Sequence, residues 1–322
     1  MRYRRLGKTD WQVSEVGFGA WGIGGTLWHG ATDTESLAAL HAAADLGVNF
    51  IDTALVYGNG HSEALVGQVV RSRSERIYVA TKVPPKNRHW PALPGDTVDD
   101  AFPPSHIVDC TEHSLRNLEI DCLDLQQLHV WRDEWLEDRR WLDTLLTLKA
   151  QGKIRAIGVS INDHEPESAL RLVASGLIDA VQVIYNIFDQ SPNRALLTAC
   201  LKYDVGVLAR CPFDEGALTG RITPETVFPE GDWRNEYFRD DRKAQVAAHV
   251  EPIKQLLGPE AKTMPELALR YCLAHPAVST VIPGMRTQAN VRANCAWSDG
   301  RRLSDALLDR LTAHAWEKNF YD

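Results

Sequence analysis

Short runs rich in β-branched and apolar residues alternate with helical patterns along most of the chain, and this alternation restricts the fold more than any other feature. The runs are EVGFG (15–19), VNFIDT (48–53), RIYVATKV (76–83), CLDLQQLH (122–129), IRAIGVS (154–160), AVQVIYN (180–186), VGVLAR (205–210) and STVIPG (279–284). Between them lie amphipathic segments such as TDTESLAALHAAADLG, SHIVDCTEHSLRNLE, DRRWLDTLLTLKAQGK and EPESALRLVASG, several of them closed by glycine. A strand, a helix and a further strand imply parallel pairing, and near-continuous apolar strands imply a sheet covered on both faces. Eight such units in 322 residues predict an α/β protein, a single (β/α)8 TIM barrel spanning 1–322 as one domain, in preference to an open doubly wound sheet. The glycine-rich GFGAWGIGG after the first run lacks the G-x-G-x-x-G spacing of a dinucleotide-binding Rossmann unit.

Three connections break the rhythm: PPKNRHWPALPGDTVDDAFPP, VWRDEWLEDRRW and ITPETVFPEGDWRNEYFRDD. Each leaves the carboxyl end of a predicted strand, where the loops of a barrel wall its active site. They carry Trp90, Trp131, Trp135, Trp233, Tyr237 and Phe238, candidates either for a substrate pocket or for the loops' own packing. Trp21, Trp90 and Trp131 are taken as the substrate-pocket set.

Charge narrows the partners. Lys and Arg total 35 against 43 Asp and Glu, a formal charge of −8, so there is no basic field for nucleic acid or an anionic membrane, and a small molecule is the expected partner. No apolar run approaches the roughly 18 residues of a membrane span, and MRYRRLGKTDWQVS lacks a signal-peptide core, so a cytoplasmic location is expected. The six cysteines are scattered with no C-x-x-C pair, which suggests neither a zinc site nor a disulfide framework.

Placed on these strands, Asp52 ends the second, Lys82 the third and His129 the fourth, with Tyr57 on the loop just past the second. Adjacent barrel strands bring their ends about 5 Å apart, so Asp52 and Lys82 can pair, which removes the cost of a lone buried carboxylate. An ammonium beside a phenol favours the phenolate, so Lys82 is expected to lower the Tyr57 pKa and make it a general acid and base. His129 is then placed to donate a hydrogen bond to a carbonyl oxygen. With neither a nucleophile nor a metal site in view, the set fits proton delivery to a carbonyl coupled to hydride from a cofactor.

The segments RRLGKTDWQVSEVGFGAWGIGG, NFIDTALVYGNGHSEALVG, VATKV, LDLQQLH, KIRAIGVS, VQVIYN, ALTGR and VIPG, in this order, resemble the aldo-keto reductases over essentially the whole chain. The resemblance implies a (β/α)8 barrel with an N-terminal β-hairpin and long loops at the C-terminal face. It further implies the catalytic tetrad Asp52, Tyr57, Lys82 and His129, and NADPH as the cofactor of an aldehyde or ketone reduction, a keto-sugar being one polar possibility. An alternative carried by the same family is a cofactor-binding regulatory or redox-sensing subunit with little turnover.

Cofactor positions carry over from the same motifs. Gly19, Ala20 and Trp21 fall at the rim. Ser160 and Gln182 match the residues that hold the nicotinamide carboxamide; the asparagine that commonly follows the serine is Ile161, with Asn162 as its substitute. Arg210 stands where a tyrosine commonly stacks on the nicotinamide, with a rim salt bridge to Asp214 or Glu215 as its alternative role. Cys211 and Pro212 follow Arg210 among the cofactor positions, and the stretch from Phe213 through Glu215 and Gly216 to Leu218 resembles the loop whose backbone amides hold the pyrophosphate. In VIPGMRTQANVRAN, Gly284 opens the adenosine-end segment, Arg286 is the candidate for the ribose 2′-phosphate, Asn290 sits where a phosphate-neighbouring polar residue is common, and Asn294 matches the asparagine that contacts adenine.

Overall fold

The computed structural model describes residues 1–321. Strands β1 (Tyr3–Arg5) and β2 (Gln12–Ser14) form an antiparallel hairpin with Tyr3 opposite Ser14. Eight parallel strands follow: β3 (Phe18–Gly19), β4 (Phe50–Asp52), β5 (Tyr78–Val83), β6 (Leu123–Leu128), β7 (Ile154–Ser160), β8 (Ala180–Ile184), β9 (Gly206–Arg210) and β10 (Val278–Val281). They lie side by side in sequence order. The ring closes where the amide of Gly17 donates to the Val281 carbonyl at 2.8 Å and that of Gly19 to Pro283 at 3.0 Å. The chain thus has the (β/α)8 architecture with an N-terminal hairpin, helices covering the outside of the barrel.

The inside of the barrel follows from the two-residue period of a strand. Phe50, Ala80, Leu125, Ala156, Ala180 and Leu208 pack together there, with Leu6 and Val13 of the hairpin segment closing the floor. Two residues further along each strand the same face carries Asp52, Lys82, Gln127, Gly158 and Gln182, so the polar layer lies directly above the apolar one. The alanines and Gly158 leave room at the centre for the longer Lys82 and glutamine side chains. A larger apolar shell fills the space between the strands' outer faces and the helices.

The long loops are folded structures. After β6, Trp131 meets Trp135 edge to face at 5.9 Å and Trp141 at 5.2 Å. Trp131 is fully buried and its indole N–H donates to the Ser168 carbonyl, so the expectation that it lines the substrate pocket is corrected: the loop needs this ring for a core of its own. Trp135, Tyr237 and Phe238 are buried in the same way. At the other end of the chain, Trp316 stacks on His249 at 3.7 Å, and the segment after it returns to the mouth of the barrel.

Candidate active site

The carboxyl ends of the strands open into one cavity of about 1080 Å³, lined by residues from every long loop. At its base Lys82, wholly buried, donates from Nζ to Asp52 Oδ2 at 2.7 Å, to the Thr53 carbonyl at 2.7 Å and to Tyr57 Oη at 3.4 Å. The other carboxylate oxygen, Asp52 Oδ1, accepts from Gln182 Nε2 at 2.7 Å and Gln127 Nε2 at 3.3 Å. Asp52 is therefore stabilised as an anion by three donors, the condition a buried carboxylate requires. The Tyr57 and His129 rings stand edge to face, 5.9 Å apart, above this pair. Trp21 leans on Tyr57 at 6.2 Å and Trp90 on His129 at 5.5 Å. The four residues expected to converge do so in this structure.

The electrostatics differ from the expectation for Tyr57. Burial, and after it the Asp52 charge, hold its phenol well above the ordinary tyrosine value, and these outweigh the cations nearby. Burial also pulls the Lys82 ammonium down, although Asp52 opposes this. His129 is driven well below its ordinary value by burial, then by Lys82 and Arg210, so it is a neutral imidazole at physiological pH. Its Nδ1 is buried without a partner, which favours the tautomer with the proton on Nε2, because a buried orphan donor is rarer than a buried orphan acceptor. The base of the cavity can thus present two hydrogen-bond donors to one oxygen: a protonated phenol and a neutral imidazole.

The remaining predicted positions divide. Gly19, Ala20, Trp21, Ser160, Asn162, Gln182, Arg210, Cys211, Pro212, Phe213, Glu215, Gly216, Gly284, Arg286, Asn290 and Asn294 all line the cavity, as does Trp90. Leu218 does not line it: its side chain is buried and its amide donates to the Phe213 carbonyl at 3.0 Å. Arg210 pairs with Asp163 at 2.5 Å and donates to the Ile161 carbonyl at 3.2 Å, so its salt-bridge partner is neither Asp214 nor Glu215. The Asn162 amide is engaged by Ala92 and Glu165. Cys211 sits in the left-handed region at φ 52°, its thiol 3.2 Å from Glu215 Oε1 and 3.5 Å from Tyr321 Oη. Burial raises this thiol's pKa, which leaves it an inert neutral group.

Leu27, Trp28 and Arg234, none of them assigned to the site from sequence, complete its upper wall beside the expected Trp233 and Arg286. The Trp233 amide donates to the Leu27 carbonyl at 2.8 Å, and the His29 amide to Asp232 Oδ2 at 3.2 Å, so the loop after β3 is tied to the loop after β9. Arg286 donates to the His29 carbonyl at 2.7 Å beneath this bridge. The Arg234 and Arg286 guanidinium carbons lie 4.4 and 5.5 Å from the Trp28 ring centre. Burial, then the neighbouring Arg234, lowers the Arg286 pKa, with Asp232 opposing them. Arg234 is already paired with both Asp232 carboxylate oxygens at 2.7 Å, whereas Arg286 meets the His29 carbonyl and no carboxylate among the described residues, which makes Arg286 a fitting place for a phosphate. Ser160, Gln182, Phe213, Gly216, Arg286 and Asn294 all line this one cavity, whose volume is large enough for a dinucleotide.

Comparison with known proteins accords with this geometry. The sequence profile of the Aldo/keto reductase family matches residues 15–315. The chain is 30% identical to the NADH-specific methylglyoxal reductase of Escherichia coli, over 97% of this chain and 98% of that one. It superposes on the glycerol dehydrogenase AKR11B4 of Gluconobacter oxydans with a TM-score of 0.79 at 29% identity, covering 97% of this chain and 94% of that one. It superposes on an aldo-keto reductase of Klebsiella pneumoniae in complex with NADPH with a TM-score of 0.71 at 26% identity, covering 99% and 97%.

Proposed function

The chain belongs to the aldo/keto reductase family, and on that premise we propose that it reduces an aldehyde or ketone to an alcohol with NADPH. The observation that carries this reading is the buried Lys82–Asp52 pair, placed under the Tyr57 hydroxyl and the His129 ring at the base of a cavity long enough for a dinucleotide. When bound, the nicotinamide supplies the hydride. The carbonyl oxygen sits between Tyr57 Oη and the His129 imidazole, whose N–H stabilises the charge that develops there. Tyr57, held protonated, passes its proton to that oxygen, and Lys82 at 3.4 Å stabilises the phenolate left behind. Asp52, fixed by Gln127 and Gln182, keeps Lys82 aimed at the phenol.

Ser160 and Gln182 would hold the nicotinamide end. The turn from Phe213 to Gly216 would face the pyrophosphate, and Arg286 the 2′-phosphate, with Asn290 beside a phosphate and Asn294 near the adenine. Arg286, with no carboxylate partner among the described residues, supports NADPH over NADH. The six free cysteines suit a reducing compartment such as the cytoplasm. Among the described residues no helix is long and apolar enough to cross a membrane.

The test is NADPH consumption by the purified protein across aldehydes, ketones and keto-sugars, with Arg286→Ala in parallel. Turnover is expected, with NADPH affinity falling about tenfold or more in the variant and NADH affinity changing less than about threefold. Tight NADPH binding with no turnover on any carbonyl would favour a cofactor-binding subunit instead. Equal losses for the two cofactors would remove Arg286 from the 2′-phosphate site.

A further inference from the structure

Between Arg88 and Leu93 the loop after β5, which carries Trp90, is held within itself by Asp96, whose carboxylate meets the His89 ring at 2.9 Å and accepts from the Leu93 amide at 2.7 Å. Among the described residues the backbone bonds of this segment that reach beyond the loop are made at Ala92. The Ala92 amide donates to Asn162 Oδ1 at 3.3 Å, and its carbonyl accepts from Asn162 Nδ2 at 3.3 Å. Arg132 adds a longer bond to the same carbonyl at 3.4 Å. One carboxamide thus answers both polar groups of one residue 70 positions away, as a neighbouring strand would. Asn162 is itself fixed. It is 4% exposed, Nδ2 also donates to Glu165 Oε2 at 3.0 Å, and Arg210 grips the residues on either side through the Ile161 carbonyl and the Asp163 carboxylate.

Two residues before this attachment, Trp90 stands with its ring 84° to that of His129 and 43% of its surface exposed at the cavity mouth. A side chain so exposed, in a segment whose backbone bonds beyond its own loop are made at Ala92, takes its position relative to the barrel from the backbone that follows it. We propose that Asn162 is a positioning residue for the substrate side of the cavity: it staples the loop to the end of β7, holds Trp90 against His129, and so selects which carbonyl compounds fit. Its effect on selection rests on the reductase reading; the staple itself does not.

The experiment compares wild type, Asn162→Ala, Trp90→Ala and the double variant in three measurements: NADPH affinity by fluorescence, KM for benzaldehyde and glyceraldehyde, and the rate of tryptic cleavage after Arg88. Loss of the staple should raise the benzaldehyde KM about tenfold and the cleavage rate several-fold, leaving NADPH affinity within about twofold. In the Trp90→Ala background the same substitution should change the benzaldehyde KM by less than about twofold, because both act through one ring. An Asn162→Ala protein that loses NADPH affinity about tenfold, with unchanged cleavage, would overturn the proposal and return the amide to the cofactor. Additive KM effects would also overturn it. If wild type reduces neither these aldehydes nor any carbonyl of the wider panel, the reductase reading falls, whereas faster cleavage in Asn162→Ala would still support the staple.

Discussion

The four groups at the base of the cavity divide one task, and their protonation states follow from burial more than from their mutual charges. Tyr57 is held above its ordinary pKa and His129 below its own, so the forms that donate to a carbonyl oxygen are the ones present near neutral pH. The sign follows directly. A raised phenol pKa keeps the proton donor available until the pH passes its ordinary value of about 10, and a depressed imidazole gains no proton as the pH falls through 6.5. The rate of carbonyl reduction should therefore be flat from about pH 6 to about pH 9. An acid limb centred near the free histidine value would contradict a neutral His129. The sequence made the tetrad legible because each member ends a strand or follows one. The Tyr57 shift was not legible, since it depends on how much water the finished cavity excludes. Gln127 was in principle readable: it shares a strand face with His129, two residues away, but only the closed barrel shows that this face meets Asp52.

At the level of elements, the alternating runs located all eight barrel strands to within a few residues, because a strand covered on both faces must be apolar almost throughout. EVGFG was the exception, with regular strand only at Phe18–Gly19 and isolated bridges to the last strand on its other side. Loops were less legible. Trp90 and Trp131 occupy similar positions in sequence, yet Trp90 walls the cavity and Trp131 is the core of its own loop, a difference set by neighbours remote in the chain. The loop after β4 is decided both by its own backbone angle and by a close approach to the loop after β3. Gly58 has φ 65°, and a Cβ there would lie 2.0 Å from the Gly24 carbonyl oxygen. Gly58→Ala should cost about 2 kcal/mol or more in urea denaturation and displace Tyr57, with a matching loss of turnover. A stability change under about 0.5 kcal/mol would show that this turn tolerates a side chain.

Across the whole molecule, the site is assembled from segments that meet only when the barrel closes. The loop after β3 crosses to Asp232 and Trp233, Arg286 reaches back to His29, and Tyr321 comes from the far end of the chain to donate to Glu215 at 2.7 Å. Such long-range contacts leave no local pattern, which is why the bridge across the upper wall was not read from the sequence, although Trp233 and Arg286 were singled out, while the strand-borne base was. The account depends most on Tyr57 as the proton donor inside this enclosure. Single-turnover reduction of a carbonyl substrate by NADPH-loaded protein, wild type against Tyr57→Phe, tests it directly. The phenol's loss should slow turnover about a hundredfold to ten-thousandfold with NADPH affinity within about twofold. A Tyr57→Phe protein that turns over within about threefold of wild type would show that the proton comes from elsewhere.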